Sequence, residues 1–150
     1  MTDLAYRRVV TGLDADGKSC VIIDGPIPKL STTGAELVWR TNDVPADNSG
    51  TADAAVAFTM EHMHAGSTFL IWEFPAGGTA AMHATDTIDY MVILSGRVTL
   101  TVERGEVDLG PGDFIVDRGV MHGWRNPHAE TCVAAIINLP AQPVGNGRTV

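Results

Sequence analysis

Met82-His83-Ala84-Thr85-Asp86-Thr87-Ile88-Asp89-Tyr90-Met91-Val92-Ile93-Leu94-Ser95-Gly96 is the stretch on which the reading of this chain turns. An apolar, β-branched run follows two short polar turns and ends at a glycine, the pattern of a strand entering and leaving tight turns. His83, Thr85, Thr87 and Asp89 are spaced by two, so an extended backbone places them on one face. A second stretch, Gly119-Val120-Met121-His122-Gly123-Trp124-Arg125-Asn126, supplies another histidine among glycine-punctuated strand residues.

Outward from these stretches the chain is a succession of short strand candidates. Ser67–Phe74 leads into Pro75-Ala76-Gly77-Gly78, and Val98–Val102 alternates. Arg104-Gly105 turns into Glu106–Leu109, Phe114–Val116 precedes the second stretch, and the apolar run at 131 to 139 comes last. Many short strands at regular intervals, with no amphipathic helix, predict a β-barrel or sandwich. Before residue 65 the strand candidates are weaker: Tyr6–Val10, Cys20–Ile23 and Glu36–Thr41, separated by turns and followed by a polar loop from Asn42 to Asp53.

The spacing of these residues resembles the two signature motifs of the cupin superfamily. The first motif runs Gly, five residues, His-x-His, three or four residues, Glu, six residues, Gly. Gly77 stands six residues before His83, Thr85 takes the place of the second histidine, Asp89 that of the glutamate, and Gly96 closes the motif. The second motif ends Gly, two residues, His, three residues, Asn, as Gly119, His122 and Asn126 do. Pro111-Gly112-Asp113 supplies its usual turn, while Asp117 stands where a proline is customary and the interval to Gly119 is one residue short. The resemblance covers about residues 65 to 139. It implies an all-β fold, a cupin-type antiparallel β-barrel (jelly roll). The barrel core is expected over 65–150, with 1–64 as N-terminal strands and loop of the same domain. Residues 5–41 are expected to form an arm exchanged between the two subunits of a homodimer, because surplus strands leave edges that need covering.

The resemblance also puts His83, Asp89 and His122 at three of the four usual metal-ligand positions, the fourth being Thr85. Two imidazoles and a carboxylate suit one divalent transition metal, Fe(II) or Zn, with Ni and Mn also compatible. The competing expectation is a metal-free pocket in which the histidines hydrogen-bond to Thr85, Asp86 or Asp89. Tyr90 and Arg125 are the candidate catalytic side chains, one to donate a proton and one to pair with a carboxylate or enolate. Trp124, Met82, Met91 and Met121 are candidates for an apolar wall. His62 and His64 form a second histidine pair, but no carboxylate follows at motif distance, so they read as a loop or rim feature. Asn126 reads as a turn-fixing residue.

Composition narrows the function. Hydrophobic residues make up 45% and charged residues 19%, ordinary for a globular domain. The net charge of -8 leaves no basic stripe for nucleic acid or an anionic membrane. The first residues have no apolar run of signal-peptide length, so a cytoplasmic protein is expected. Cys132 lies in an apolar run and reads as a buried inert thiol. Two functions remain open. One is a metal-dependent enzyme acting on a modest organic substrate (a carbonyl, enol or aromatic) by oxidative cleavage, dehydration, isomerisation or lyase chemistry. The other is a metal-free barrel that holds a small apolar ligand as carrier or sensor.

Overall fold

The structure, a computed structural model, describes residues 6–150. The runs of β-branched and aromatic residues become strands: β1 (Arg7–Leu13), β2 (Ser19–Pro26), β3 (Ala35–Thr41), β4 (Ser67–Phe74), β5 (Thr79–His83), β6 (Thr87–Ser95), β7 (Val98–Val102), β8 (Gly105–Leu109), β9 (Phe114–Asp117), β10 (His122–Arg125) and β11 (Cys132–Pro140). The one helical element described is a short 3-10 turn, Met60–His64. A four-stranded sheet, β5-β10-β7-β8, faces a five-stranded sheet, β3-β4-β11-β6-β9, and the strand pairs within both are antiparallel. This is the expected all-β jelly roll. No described helix is long and apolar enough to cross a membrane.

Alternation decides what faces the core. Along β6, Thr87, Asp89, Met91 and Ile93 are buried, while Tyr90 and Leu94 are exposed. Leu70 and Phe74 on β4 and Ala134 and Ile136 on β11 complete the inner surface of the larger sheet. Cys132 is fully buried, and burial pushes its thiol up to about 11, so the inert thiol expected there is what forms. Cys20 and Cys132 are both free.

Two motif glycines close the barrel's ends. Gly96 has φ +70, and a Cβ there would stand 2.3 Å from the Thr131 carbonyl oxygen. Gly119 has φ +75, and its Cβ would meet the Thr85 carbonyl oxygen at 2.5 Å. Only glycine lets the backbone turn and approach this closely.

In the N-terminal region β3 pairs with β4 from Ala35↔Trp72 to Thr41↔Ser67, so within this chain it is an edge strand of the barrel. The barrel therefore begins well before residue 65. β1 and β2 form a separate two-stranded sheet. That hairpin is tied to the barrel through buried Arg8, whose Nη1 donates to the Val38 carbonyl at 3.0 Å and to Asp53 Oδ1 at 2.9 Å. Val9, Leu13 and Val21 on the hairpin remain exposed.

Candidate functional site

The strand register brings the two motif histidines together. β5 and β10 are neighbours, and His83 is the cross-strand partner of His122. Their ring centroids are 4.4 Å apart. His83 Nδ1 lies 2.8 Å from the Ala81 carbonyl oxygen, and His122 Nδ1 lies 2.9 Å from that of Val120. A carbonyl oxygen can only accept, so each Nδ1 is the donor nitrogen of its ring, and in the neutral form Nε2 is the nitrogen left with a lone pair. Neither ring takes Thr85, Asp86 or Asp89 as its hydrogen-bond partner. Asp86 is occupied elsewhere: its Oδ1 accepts from the Arg148 amide at 2.9 Å.

The carboxylate of Asp89 enters from the opposite sheet. It accepts from the Thr87 hydroxyl at 2.7 Å, and Thr87 in turn shares a 2.7 Å bond with Thr85. Asn138, which accepts from Thr68 at 2.8 Å, hydrogen-bonds Asp89 as well. Burial drives the Asp89 carboxyl above its ordinary value and nearby Asp117 adds to the rise, against the opposing pull of Asn138, Thr87 and His122.

Asp117 is a functional neighbour that sequence reasoning missed. It ends β9, directly across from Asp89. Its Oδ1 accepts from the Gly119 amide at 3.2 Å. Its Oδ2 is 2.9 Å from His122 Nδ1 but off the line of that N–H, which points at Val120, so this buried oxygen has no hydrogen-bond donor of its own. For His122, burial is the largest effect and lowers its proton affinity. Asp117, the Val120 carbonyl and Asp89 together outweigh burial and leave the imidazole above its ordinary value.

His83, Asp89, Asp117 and His122 line one cavity of about 280 Å³ inside the barrel. Trp124 and Met91 belong to its wall, as expected, whereas Met82 and Met121 do not. Met60, Met63, Trp72 and Phe74 are among the other residues of its apolar lining. The alternation Leu70-Trp72-Phe74 along β4 carries a signal for two of these; the methionines of the 3-10 turn carry none.

Both catalytic candidates lie elsewhere. Tyr90 follows inward-facing Asp89 and so points out of the sheet, 45% exposed. Arg125 follows inward-facing Trp124 and pairs with Glu106 at 2.6 Å on the outer surface. Neither reaches the cavity. His62 and His64 sit on the 3-10 turn outside it; His62 Nδ1 accepts from the Thr59 amide at 3.2 Å. Thr85 is buried behind Thr87 and is not part of the cavity wall.

The donor types suit a divalent metal, with two imidazoles presenting free lone pairs and a buried carboxylate in the same cavity. Among the described residues, however, no three His, Cys, Asp or Glu side chains close into a ligating cluster. His83 and His122 meet; Asp89 is engaged by Thr87 and Asn138.

A jelly roll with paired histidines and buried carboxylates inside it is the frame of a cupin, and comparison with known proteins agrees. The model of the cupin domain matches residues 70–138. A phomopsin biosynthesis cluster protein C' of Diaporthe leptostromiformis is 30% identical over 92% of this chain and 80% of its own length. A cupin-domain-containing oxidoreductase of Neurospora crassa is 28% identical over 82% of this chain and 67% of its own. Among solved structures, a conserved Klebsiella pneumoniae protein with a double-stranded β-helix domain superposes with a TM-score of 0.50 at 19% identity, over 70% of this chain and 74% of that one. The chain belongs to the cupin superfamily.

Proposed function

We propose that this cupin is a metal-dependent enzyme that acts on a small organic molecule held inside the barrel, with His83, Asp89 and His122 as the ligands of one divalent transition metal, Fe(II) or Zn. The observation that carries the reading is the tautomer of the two histidines. Each imidazole spends its Nδ1 proton on a backbone carbonyl and keeps Nε2 as a lone pair. Metal-bound histidines are oriented in this way, by a hydrogen bond from the other ring nitrogen. Relatives named as an oxidoreductase and as biosynthesis-cluster proteins support small-molecule chemistry.

A bound divalent ion would supply Lewis-acid polarisation of a substrate oxygen or activation of oxygen or water. The chain's own residues bind and orient. The Ala81 and Val120 carbonyls fix the two rings. Asp117 places a negative oxygen beside His122 Nδ1 and so favours the proton staying there. Trp72, Phe74, Trp124 and the methionines exclude water around the substrate.

The second reading, a metal-free barrel that carries or senses a small ligand, draws on Asp89 being held by Thr87 and Asn138 with no closed cluster. Metal analysis of the protein as purified, followed by titration with Zn and Fe(II), separates the two. Uptake of one equivalent, lost in His83→Ala and His122→Ala while the circular dichroism spectrum is unchanged, supports the enzyme. No uptake at neutral pH, with ligand binding intact in His122→Ala, replaces it with the carrier.

A further inference from the structure

His62 and His64 stand outside the cavity, yet the turn that carries them builds part of its wall. Met60 and Met63 of the 3-10 turn line the cavity, and Met63 is buried. Two bonds between the same pair of residues close the start of that turn. The His62 amide donates to the Thr59 carbonyl at 3.1 Å, and the Thr59 amide donates to His62 Nδ1 at 3.2 Å. Thr59 is the cap residue, and His62 stands at the third position of the turn. A capping box carries Glu or Gln at that position to accept this same amide. Histidine can accept it only while neutral, with its proton on Nε2; in the imidazolium both ring nitrogens are donors. The ring is half-buried, 6.3 Å from that of Phe58, which meets Trp72 of the cavity wall edge-on at 5.7 Å.

We infer that this turn is a pH-operated wall of the cavity, shut while neutral His62 accepts from Thr59 and loosened once the imidazole takes a proton. Protonation turns the acceptor into a donor that faces another donor, so an attraction becomes a repulsion. Burial, the larger effect, and the like charge of Arg40 on β3 both hold the imidazole below the ordinary histidine value. Glu61 and His64 flank it on the turn, Glu61 exposed. The strands packed against the turn are β4 and β11. Their titratable groups, Glu73 and the Cys132 thiol, lie at the end remote from Ser67, where the turn joins β4. The closed turn therefore holds its full advantage above pH 6.5, the ordinary histidine value, and loses it as pH falls through the lowered one. The inference goes beyond the proposed function and needs the cavity, not a metal.

Oxidation of methionine by dilute hydrogen peroxide, followed by peptide mass spectrometry, reads whether the wall is shut. The rate at Met63 is taken relative to that at Met82, which is 38% exposed on β5 and outside the cavity lining. Both are measured at about pH 7.5 and about pH 5, on either side of the ordinary histidine value, with a chelator present to suppress iron-catalysed oxidation. In the wild type the relative rate at Met63 should rise about tenfold at the lower pH, the weight of one hydrogen bond on the opening equilibrium. His62→Gln is the decisive variant. Glutamine accepts the Thr59 amide at either pH, as in an ordinary capping box, so Met63 should stay protected at both. His64 and His122 remain in that variant, so their protonation is not what it removes. A wild-type Met63 equally protected at both pH values overturns the inference. So does a rise of the same size in His62→Gln, whether it comes from another histidine or from unfolding of the barrel.

Discussion

Asp89 on β6 and Asp117 on β9 are direct cross-strand partners, and both are buried. Like charges placed opposite one another on a sheet destabilise it, and here the Asp89 carboxyl is raised, first by burial and further by Asp117. The folded protein thus binds a proton at Asp89 more readily than the unfolded chain does. Stability falls as pH rises from the ordinary carboxylate value through the raised one, and the whole penalty is present above that window. Asp89→Asn should therefore melt higher than the metal-stripped wild type at pH 7, with the advantage shrinking as pH falls through the raised value and gone below pH ~4. Thermal melts across that range check it; an advantage that does not vary with pH would contradict the assignment.

The decisive stretch was legible as far as parity carries. Strand alternation that turns Asp89 and His122 inward also turns Tyr90 and Arg125 outward, so both misplaced catalytic candidates violated a rule available in the sequence itself. Asp117 was hidden for another reason. The second motif is one residue short ahead of Gly119, which obscured the register, and only the pairing of β9 with β6 brings Asp117 to the site. The C-terminal tail was equally invisible. The Thr149 amide donates to the Ala84 carbonyl at 2.9 Å and its hydroxyl oxygen accepts from the Ala84 amide at 2.9 Å, which braces the turn after His83. Contacts made through backbone groups leave little trace in side-chain pattern.

Asn126 illustrates a motif residue whose role is structural. Its amide nitrogen donates to the Phe74 carbonyl at 2.9 Å and to that of Glu130 at 2.8 Å, and its side-chain oxygen accepts from the His128 amide at 3.0 Å. The side chain is 1% exposed. Asn126→Ala leaves these backbone groups without their partner and should cost about 2–3 kcal/mol in urea unfolding. Asn126→Asp, which keeps the acceptor but not the donors, should be no better than alanine. A loss below about 0.5 kcal/mol, the size of an ordinary surface change, would mean the bonds are dispensable.

The outer face of the larger sheet bears on assembly. Phe69, Ile137, Tyr90 and Val116 form one cross-strand row on β4, β11, β6 and β9, all exposed, with Phe114 beside them at 83% exposure. A contiguous apolar face of this kind marks an interaction surface, and we propose a second copy of the chain as its partner, related by a two-fold axis that lays the same patch on itself. Phe114→Asp adds a charge to an exposed position and should leave the barrel folded while converting the dimer to monomer in light scattering. A wild-type protein that is already monomeric at micromolar concentration rules out the dimer.

Thr85 is where the family pattern calls for a second histidine, and restoring that histidine should fail. A cupin ligand at this position has to face the cavity, but the Thr85 side chain is buried outside its lining, bonded to Thr87 at 2.7 Å. Its backbone carbonyl is also pressed against Gly119 so closely that a Cβ there would sit 2.5 Å away. An imidazole in place of the hydroxyl overpacks this corner and breaks the Thr85–Thr87–Asp89 chain. Overpacking of that kind costs about 1–3 kcal/mol. Thr85→His should accordingly lower the melting temperature and leave Zn affinity unchanged or weaker. Thr85→Val, which keeps the volume and loses the hydroxyl, should alter metal uptake little and stability by the smaller loss of one buried hydrogen bond, about 1 kcal/mol. Tighter Zn binding by Thr85→His, measured by competition with a chelator, would show that the corner can open and that Thr85 stands at a ligand position after all.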